Sequence, residues 1–241
     1  MLGLGHGVHT DTVSLAEIFF NNYSIELNGS TQYMTMNDTA SLIDVANGTF
    51  SVWGNLSSVT INTVPFKFSV DSNNQVSVMY KNSDQQWWFT YKAGGTNKQT
   101  KVNTTAEGDG NWYHLAMTWD TTADEVKCYV NGVEVGSTLT SLGTWSGTIG
   151  KVYAGANTLA ANSYWKGNID EISVFNQTLT DAGISALYNG GSPKDVEFSG
   201  LAGLVGYWRF TEGTGTSVAD ESSHNNTATL VNSPTWSTTV P

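Results

Sequence analysis

One cysteine, four prolines and ten basic residues are all that 241 positions hold of these types, and each shortage removes a class of protein. A single thiol, Cys128, closes no intrachain disulfide and is too few for a cysteine-rich metal site, so the fold has to stand on buried apolar surface. Cys128 alternates with Val126 and Val130, which reads as a small apolar residue on the inner face of a strand rather than as a reactive thiol. No run approaches the ~18 apolar residues of a membrane-crossing helix. The opening MLGLGHGVHTDTV has neither the basic lead nor the apolar stretch of a signal peptide, so nothing in the chain as written directs it to secretion. The ten Lys plus Arg stand against twenty-one Asp plus Glu, a formal net charge of −11. Such a field repels a phosphate backbone, which argues against nucleic acid and against an anionic membrane as partners.

What the sequence does hold is aromatic. Nine Trp, ten Tyr and nine Phe bring the aromatic fraction to 12%, ample large apolar surface for one contiguous core. Residues 1–22 read as a Gly-rich arm packed on a neighbouring subunit. Residues 23–200 read as an all-β, antiparallel jelly-roll β-sandwich, and residues 201–241 as a C-terminal strand and tail that complete the sandwich or contact a neighbour. The evidence for strands is a succession of short alternating runs separated by Asn, Gly, Ser and Asp clusters. Twelve are expected, at 24–27, 32–36, 49–56, 66–70, 76–80, 87–92, 112–119, 126–130, 133–136, 150–154, 165–175 and 204–210. In the 112–119 run, Tyr113, Leu115, Met117 and Trp119 share one face and Trp112, His114, Ala116 and Thr118 the other.

Asn131-Gly132 between two valine-rich runs predicts a two-residue hairpin turn, because these residues tolerate the positive φ angles of type I′. One short helix is expected after Thr180, its cap, with Ile184, Leu187 and Tyr188 as the apolar stripe and Gly190 or Gly191 as the stop. It is expected to plug one end of the sandwich.

In this order the motifs resemble the laminin-G-like jelly rolls of the concanavalin A-like lectin/glucanase superfamily. SIELNGSTQYMTM resembles their opening strand pair and GTFSVWGNL the next strand. NWYHLAMTWDTTADEVKCYVNGVEV resembles their Trp-His strand with its Asn-Gly hairpin, and GNIDEISVFNQTLTDAGISALYN their closing strand and helix. LVGYWRFTEGTGTSVADESSHNNTATL resembles a strand and loop that in such proteins more often precedes the opening strand. A fold shared by lectins, adhesins, hydrolases and virion proteins does not assign a function.

The superfamily's laminarinase-like hydrolases carry carboxylates at alternating positions of one strand, at the separation that retaining hydrolysis needs. Here the acidic pairs are Asp124-Glu125, Asp170-Glu171 and Asp220-Glu221, each adjacent, and adjacency on a strand sends two side chains to opposite faces. His6, His9, His114 and His224 sit in no nucleophile or zinc spacing, and His114 reads as a hydrogen-bonded or solvent-facing strand residue. No catalytic residues are assigned and no enzyme is expected. The resemblance implies calcium as the one candidate cofactor, at Asp220, Asn225 and Asn226 of the ADESSHNN loop, since hard cations want carboxylate and amide oxygens. A glycan platform is read at SDQQWWFTYKAGGTN, with Trp87, Trp88 and Tyr91 beside Gln85, Gln86 and Asn97; on a strand, one of Trp87 and Trp88 must face outward if the other is in the core. Trp53, Trp112, Trp119, Trp165 and Trp208 are read as core.

The leading expectation is a non-enzymatic virion structural protein, a capsid decoration or capsid-associated protein of a tailed phage. It rests on the missing signal, the lack of disulfide chemistry and an N-terminal arm that resembles marine phage structural proteins. Its partners would be other capsid proteins and copies of itself, and its place the virion. The alternative is an extracellular lectin-like carbohydrate-binding module or adhesin whose partners are cell-surface glycans.

Overall fold

The computed structural model, which describes residues 20–104, 106–157, 159–160, 162–196 and 200–241, turns the alternating runs into sixteen strands among those residues. In chain order they are β1 (Ser24–Asn28), β2 (Tyr33–Thr35), β3 (Asn47–Leu56), β4 (Thr63–Asp71), β5 (Asn74–Lys81), β6 (Gln86–Ala93), β7 (Thr96–Asn103), β8 (Trp112–Asp120), β9 (Glu125–Val130), β10 (Val133–Leu139), β11 (Lys151–Ala154), β12 (Lys166–Phe175), β13 (Leu204–Trp208), β14 (Ser217–Val218), β15 (Ala228–Val231) and β16 (Thr235–Ser237). One helix, α1 (Asp181–Tyr188), lies between β12 and β13.

Every pairing is antiparallel. The first sheet runs β10-β9-β8-β3-β12-β1-β16 with β13 also on β12; the second runs β14-β15-β2-β11-β4-β5-β6-β7. β12 shares one edge between two partners, β1 along residues 166–169 and β13 along residues 172–175. The C-terminal strands therefore pair inside this chain's own sheets, as β15 with β2 and β16 with β1 also do. The two inner faces meet in one core: Phe50 of β3 stacks on Phe66 of β4 with ring centroids 4.8 Å apart, and Trp119 of β8 meets Phe68 at 5.5 Å. Each fully buried aromatic of this kind removes enough apolar surface to be worth about 1.5–3 kcal/mol, and here they interlock across the sheets.

All twelve expected strands form, with ends within three residues of those read from the pattern. The four that pattern reading missed are β7, β14, β15 and β16. β7, TNKQTKVN, is an edge strand with one apolar residue, so no alternation betrays it. The hairpin is as expected, with Asn131 at φ 51° and Gly132 at φ 74°. Thr180 caps α1 by accepting the Gly183 amide at 3.2 Å, but Asn189, at φ 45°, ends it one residue before the glycines.

α1 does not plug an end of the sandwich. It lies on the outer face of the first sheet, where Ile184 and Leu187 join Ala116, Tyr129, Phe175 and Tyr207 in a second, smaller apolar cluster. This cover explains why β3 and β12 are buried on both faces. Trp53 is buried under it, stacked on Tyr188 at 5.7 Å, whereas Trp119, Trp165 and Trp208 are in the inner core as expected and Trp112 is only half-buried. His114 is fully buried beside Trp53, its Nε2 2.7 Å from Ser51 Oγ, and burial pulls its pKa down to about 3, so it is neutral at every ordinary pH.

Cys128 faces the inner core, and burial pushes its thiol up to about 12. A thiol reagent at pH 8 is expected to leave native protein unmodified for hours and to label it at once in denaturant. Labelling of the native chain within minutes would mean that β9 opens.

Candidate functional site

The residues read as a glycan platform are divided by the pleat of β6. Trp87 and Tyr91 point between the sheets and are fully buried, Trp87 stacked on Trp165 at 6.1 Å and edge-on to Tyr80 at 5.2 Å. As members of a binding surface they are thus corrected: period two gives them to the core and gives Trp88 to the outside. Gln85 caps the turn before β6 with φ 51°, and Asn97 pairs with Lys92 at the other end of that strand. Seven residues of strand separate those two ends, about 23 Å, too far for one sugar to touch both.

Instead, the register assembles a different site around Trp88 on the outer face of the second sheet. One row across it runs Tyr153, Lys67, Ser77, Thr90 and Gln99, from β11 to β7. The adjacent row runs Lys151, Ser69, Gln75, Lys92 and Asn97, and on the other side Met79, Trp88 and Lys101 lie abreast. The β4–β7 part of these two rows, Lys67, Ser77, Thr90 and Gln99 with Gln75, Lys92 and Asn97, lines an open groove of about 240 Å³ that Val64, Met79 and Asn157 also border. This is below the ~300–1,000 Å³ of pockets that engulf a drug-sized ligand, and suits a ring laid on a face rather than swallowed. Trp88 donates its indole N–H to Gln86 Oε1 at 2.9 Å, which fixes the ring, and the Lys101 ammonium lies 3.9 Å from its centroid.

Of these residues only Gln86, Trp88 and Asn97 are expected from the sequence. Lys67, Gln75, Ser77, Thr90 and Gln99 were missed because they come from four strands. A signal was available in the alternation of FKFSV and QVSVM, whose polar members all point to one side.

The ADESSHNN loop has a different geometry from a ready cation site. Asp220 is 5% exposed, and its two carboxylate oxygens accept the amides of Tyr207 (2.8 Å), Ser222 (2.9 Å) and Asn226 (2.8 Å). That is a cap for the turn, and a calcium ion there would compete with three amides whose positive ends already point at the carboxylate. Asn225 takes φ 56° and donates its side-chain amide to Ser223 O, again closing the turn on itself. In the opening loop, Asn28 Oδ1 likewise accepts the Ser30, Thr31 and Gln32 amides. Among the described residues no three His, Cys, Asp or Glu side chains cluster so as to hold a metal.

The adjacent pair Asp170-Glu171 departs from the expectation that its side chains part. Ile169 and Ile172 both face the inner core, which requires one extra residue between them, and Glu171 supplies it as a bulge at φ 47°. Both carboxyls therefore lie on the outer face of the first sheet, under a cover formed by Asn21, Lys194 and Tyr207. Asp170 accepts from Asn21 Nδ2 at 3.0 Å and Glu171 accepts from the Tyr207 hydroxyl. At 0% and 3% exposure neither reaches a substrate. Asn21 belongs to the segment read as an intersubunit arm, and it packs on its own sheet; residues 1–19, with His6 and His9, lie outside the described residues.

A laminin-G family model described as the concanavalin A-like lectin/glucanases superfamily matches residues 28–185. No curated protein sequence matches the chain. Among solved structures, a sialidase carbohydrate-binding module of Ruminococcus gnavus bound to α2,3-sialyllactose has a TM-score of 0.59 at 14% identity, with 68% of this chain and 96% of that one covered. The fourth domain of an extracellular arabinanase of Geobacillus stearothermophilus, in complex with arabinotriose, has 0.54 at 22% over 68% and 76%. A heptameric SAP-like pentraxin from Limulus polyphemus has 0.56 at 18% over 77% and 91%. Identities this low establish a shared sandwich and no more. The virion expectation gains no support from them, and the glycine-rich arm on which it leaned falls outside the described residues.

Proposed function

The chain belongs to the concanavalin A-like lectin/glucanase superfamily, and from that premise we propose that it is a non-catalytic glycan-binding module whose sugar lies on the outer face of the second sheet. The observation that carries this reading is the groove itself. Hydroxyl, amide and ammonium groups of Ser77, Thr90, Gln75, Gln99 and Lys92 line an open depression one row away from Trp88. A pyranose has a polar rim and two weakly polar faces, so it is recognised by hydrogen bonds at the edge and aromatic stacking beneath. Part of the other large face of the sandwich is covered by α1.

Two independent supports stand beside the groove. Structures of the same fold hold sialyllactose and arabinotriose, which makes sugar binding the most economical use of the fold. The buried acidic pair Asp170-Glu171 belongs to the first sheet, apart from the groove on the second.

The test is a glycan array probed with the whole chain, followed by titration of the retained glycans. Binding is expected with micromolar to millimolar Kd, and Thr90→Ala together with Gln99→Ala is expected to weaken it at least tenfold while leaving the melting temperature within about 2 °C. Failure to retain any glycan, or retention that this double variant does not weaken, would overturn the assignment.

A further inference from the structure

Half of the protein's cations are gathered on the glycan face. Ten Lys plus Arg are scattered through 241 residues that carry a net charge of −11. Five of the ten, Lys67, Lys81, Lys92, Lys101 and Lys151, occupy outward positions of β4, β5, β6, β7 and β11, and the rows they share contain no Asp or Glu. Asp71, at the end of β4, is within electrostatic reach of Lys92, and it is turned into its own hairpin by the Asn73 and Asn74 amides. An acidic protein that keeps one face basic concentrates anions there.

We propose that the sugar bound on this face carries an anionic group, a carboxylate or a sulfate, and that Lys67 holds it. The proposal rests on the glycan-binding reading above and narrows it to acidic glycans.

Lys67 singles itself out within the patch. Its residue is 5% exposed, yet it lines the groove, and among the described residues its ammonium donates one hydrogen bond, to Asn157 Oδ1 at 3.0 Å. An ammonium has three donors. None of the ion pairs among the described residues includes it. A buried cation with no counterion among the described residues is costly to the fold, and a ligand that supplies the opposite charge offsets that cost. Burial pulls its pKa down to about 8, so it is still an ammonium at pH 7 and regains its ordinary basicity once an anion sits beside it. The groups facing it are Ser77 from β5 and Tyr153 from β11, neither of which is a carboxylate.

Trp88 fits the same ligand. The Lys101 and Lys81 ammoniums lie over its ring, 3.9 and 5.5 Å from the centroid, so a sugar that takes the indole face displaces an ammonium, which then meets the sugar at its edge. Lys67 lies two strands from Trp88, about 10 Å or more, so an acidic oligosaccharide with one ring on Trp88 and an anionic sugar at Lys67 would use both the aromatic and the buried ammonium, whereas a neutral glycan would leave the ammonium without a counterion.

The experiment is an array of matched sets, each neutral glycan beside its carboxylated and its sulfated counterpart, for instance lactose with sialyllactose and sulfolactose. Calorimetric titration of the best set follows, on wild type, Lys67→Met and Lys92→Gln. Wild type is expected to prefer an acidic member at least tenfold over its neutral partner. The carboxylated and sulfated arms identify which anion is taken, and either one supports the proposal. Lys67→Met keeps the apolar stem, should melt no lower than wild type, and should bring the preference to within about twofold. Lys92→Gln, half exposed and harmless to the fold, should reduce it two- to fivefold. Equal retention of neutral and acidic members by wild type, or a preference unchanged in Lys67→Met, overturns the anion proposal while glycan binding stands; an array with no retained glycan overturns both.

Discussion

Trp87→Ala is expected to lower the stability of the sandwich by about 3–5 kcal/mol, whereas its neighbour Trp88→Ala costs no more than about 1 kcal/mol and removes sugar binding. The two indoles are adjacent in sequence and on opposite sides of the same sheet. Trp87 fills the space between Tyr80, Tyr113 and Trp165, and replacing it with a methyl group leaves a cavity that rigid strands on both sides cannot close. For a chain of this length the loss corresponds to a melting temperature lower by on the order of 10 °C. Trp88 is held from one side by Gln86 and covered by Lys101, contacts that the surface can give up cheaply. Thermal melts and glycan titration of the two variants separate the roles. A binding loss in both at full folding, or a large melting shift for Trp88→Ala, would mean that the pleat assignment of β6 is wrong.

The second large effect comes from the buried pair in the bulge of β12. Burial raises the Glu171 carboxyl from an ordinary 4.5 to about 8, and burial together with the charge of Glu171 raises Asp170 well above its usual range. A carboxyl whose pKa is higher in the folded than in the unfolded state stabilises fully below the unfolded value, and that contribution is lost as pH rises toward the folded value. His114 works in the opposite direction, since its folded pKa near 3 lies below the unfolded 6.5, but its influence ends above pH 6.5. Lys67 adds stability only above about pH 8. The window from pH 6.5 to 8 therefore isolates the acidic pair. Across it the stability is expected to fall by about 2 kcal/mol, the product of 1.5 pH units and roughly 1.4 kcal/mol per unit. Glu171→Gln can still accept from the Tyr207 hydroxyl and should flatten most of this slope, with a melting temperature at pH 8 higher than wild type. Chemical denaturation at the two pH values measures it; a slope that persists unchanged in Glu171→Gln would mean that the group is already ionised at pH 6.5.

The same bulge marks the limit of strand reasoning. Period two holds for β6, where it correctly requires Trp87 and Trp88 to part, and fails at Asp170-Glu171, where one residue in a left-handed conformation adds a step and turns both carboxyls the same way. No turn residue announces it, because the bulge arises from β12 matching β3 on one side and two different strands, β1 and β13, on the other. α1 was legible as a helix from its cap and stripe, while its position was not, since the stripe says that an apolar face must be covered and not by what.

By itself the sequence determined the class of fold, twelve of the strands, the Asn131-Gly132 hairpin and the capped helix, because each is written in contacts or dihedral preferences that span only a few residues. It also determined what is missing, from disulfides to a positive field over the whole chain. Only the tertiary structure decided which polar residues stand together. Lys67, Ser77, Thr90 and Gln99 are spread over thirty-two positions of the chain and become neighbours through strand register, a long-range property that hydrogen-bonded sheets set collectively.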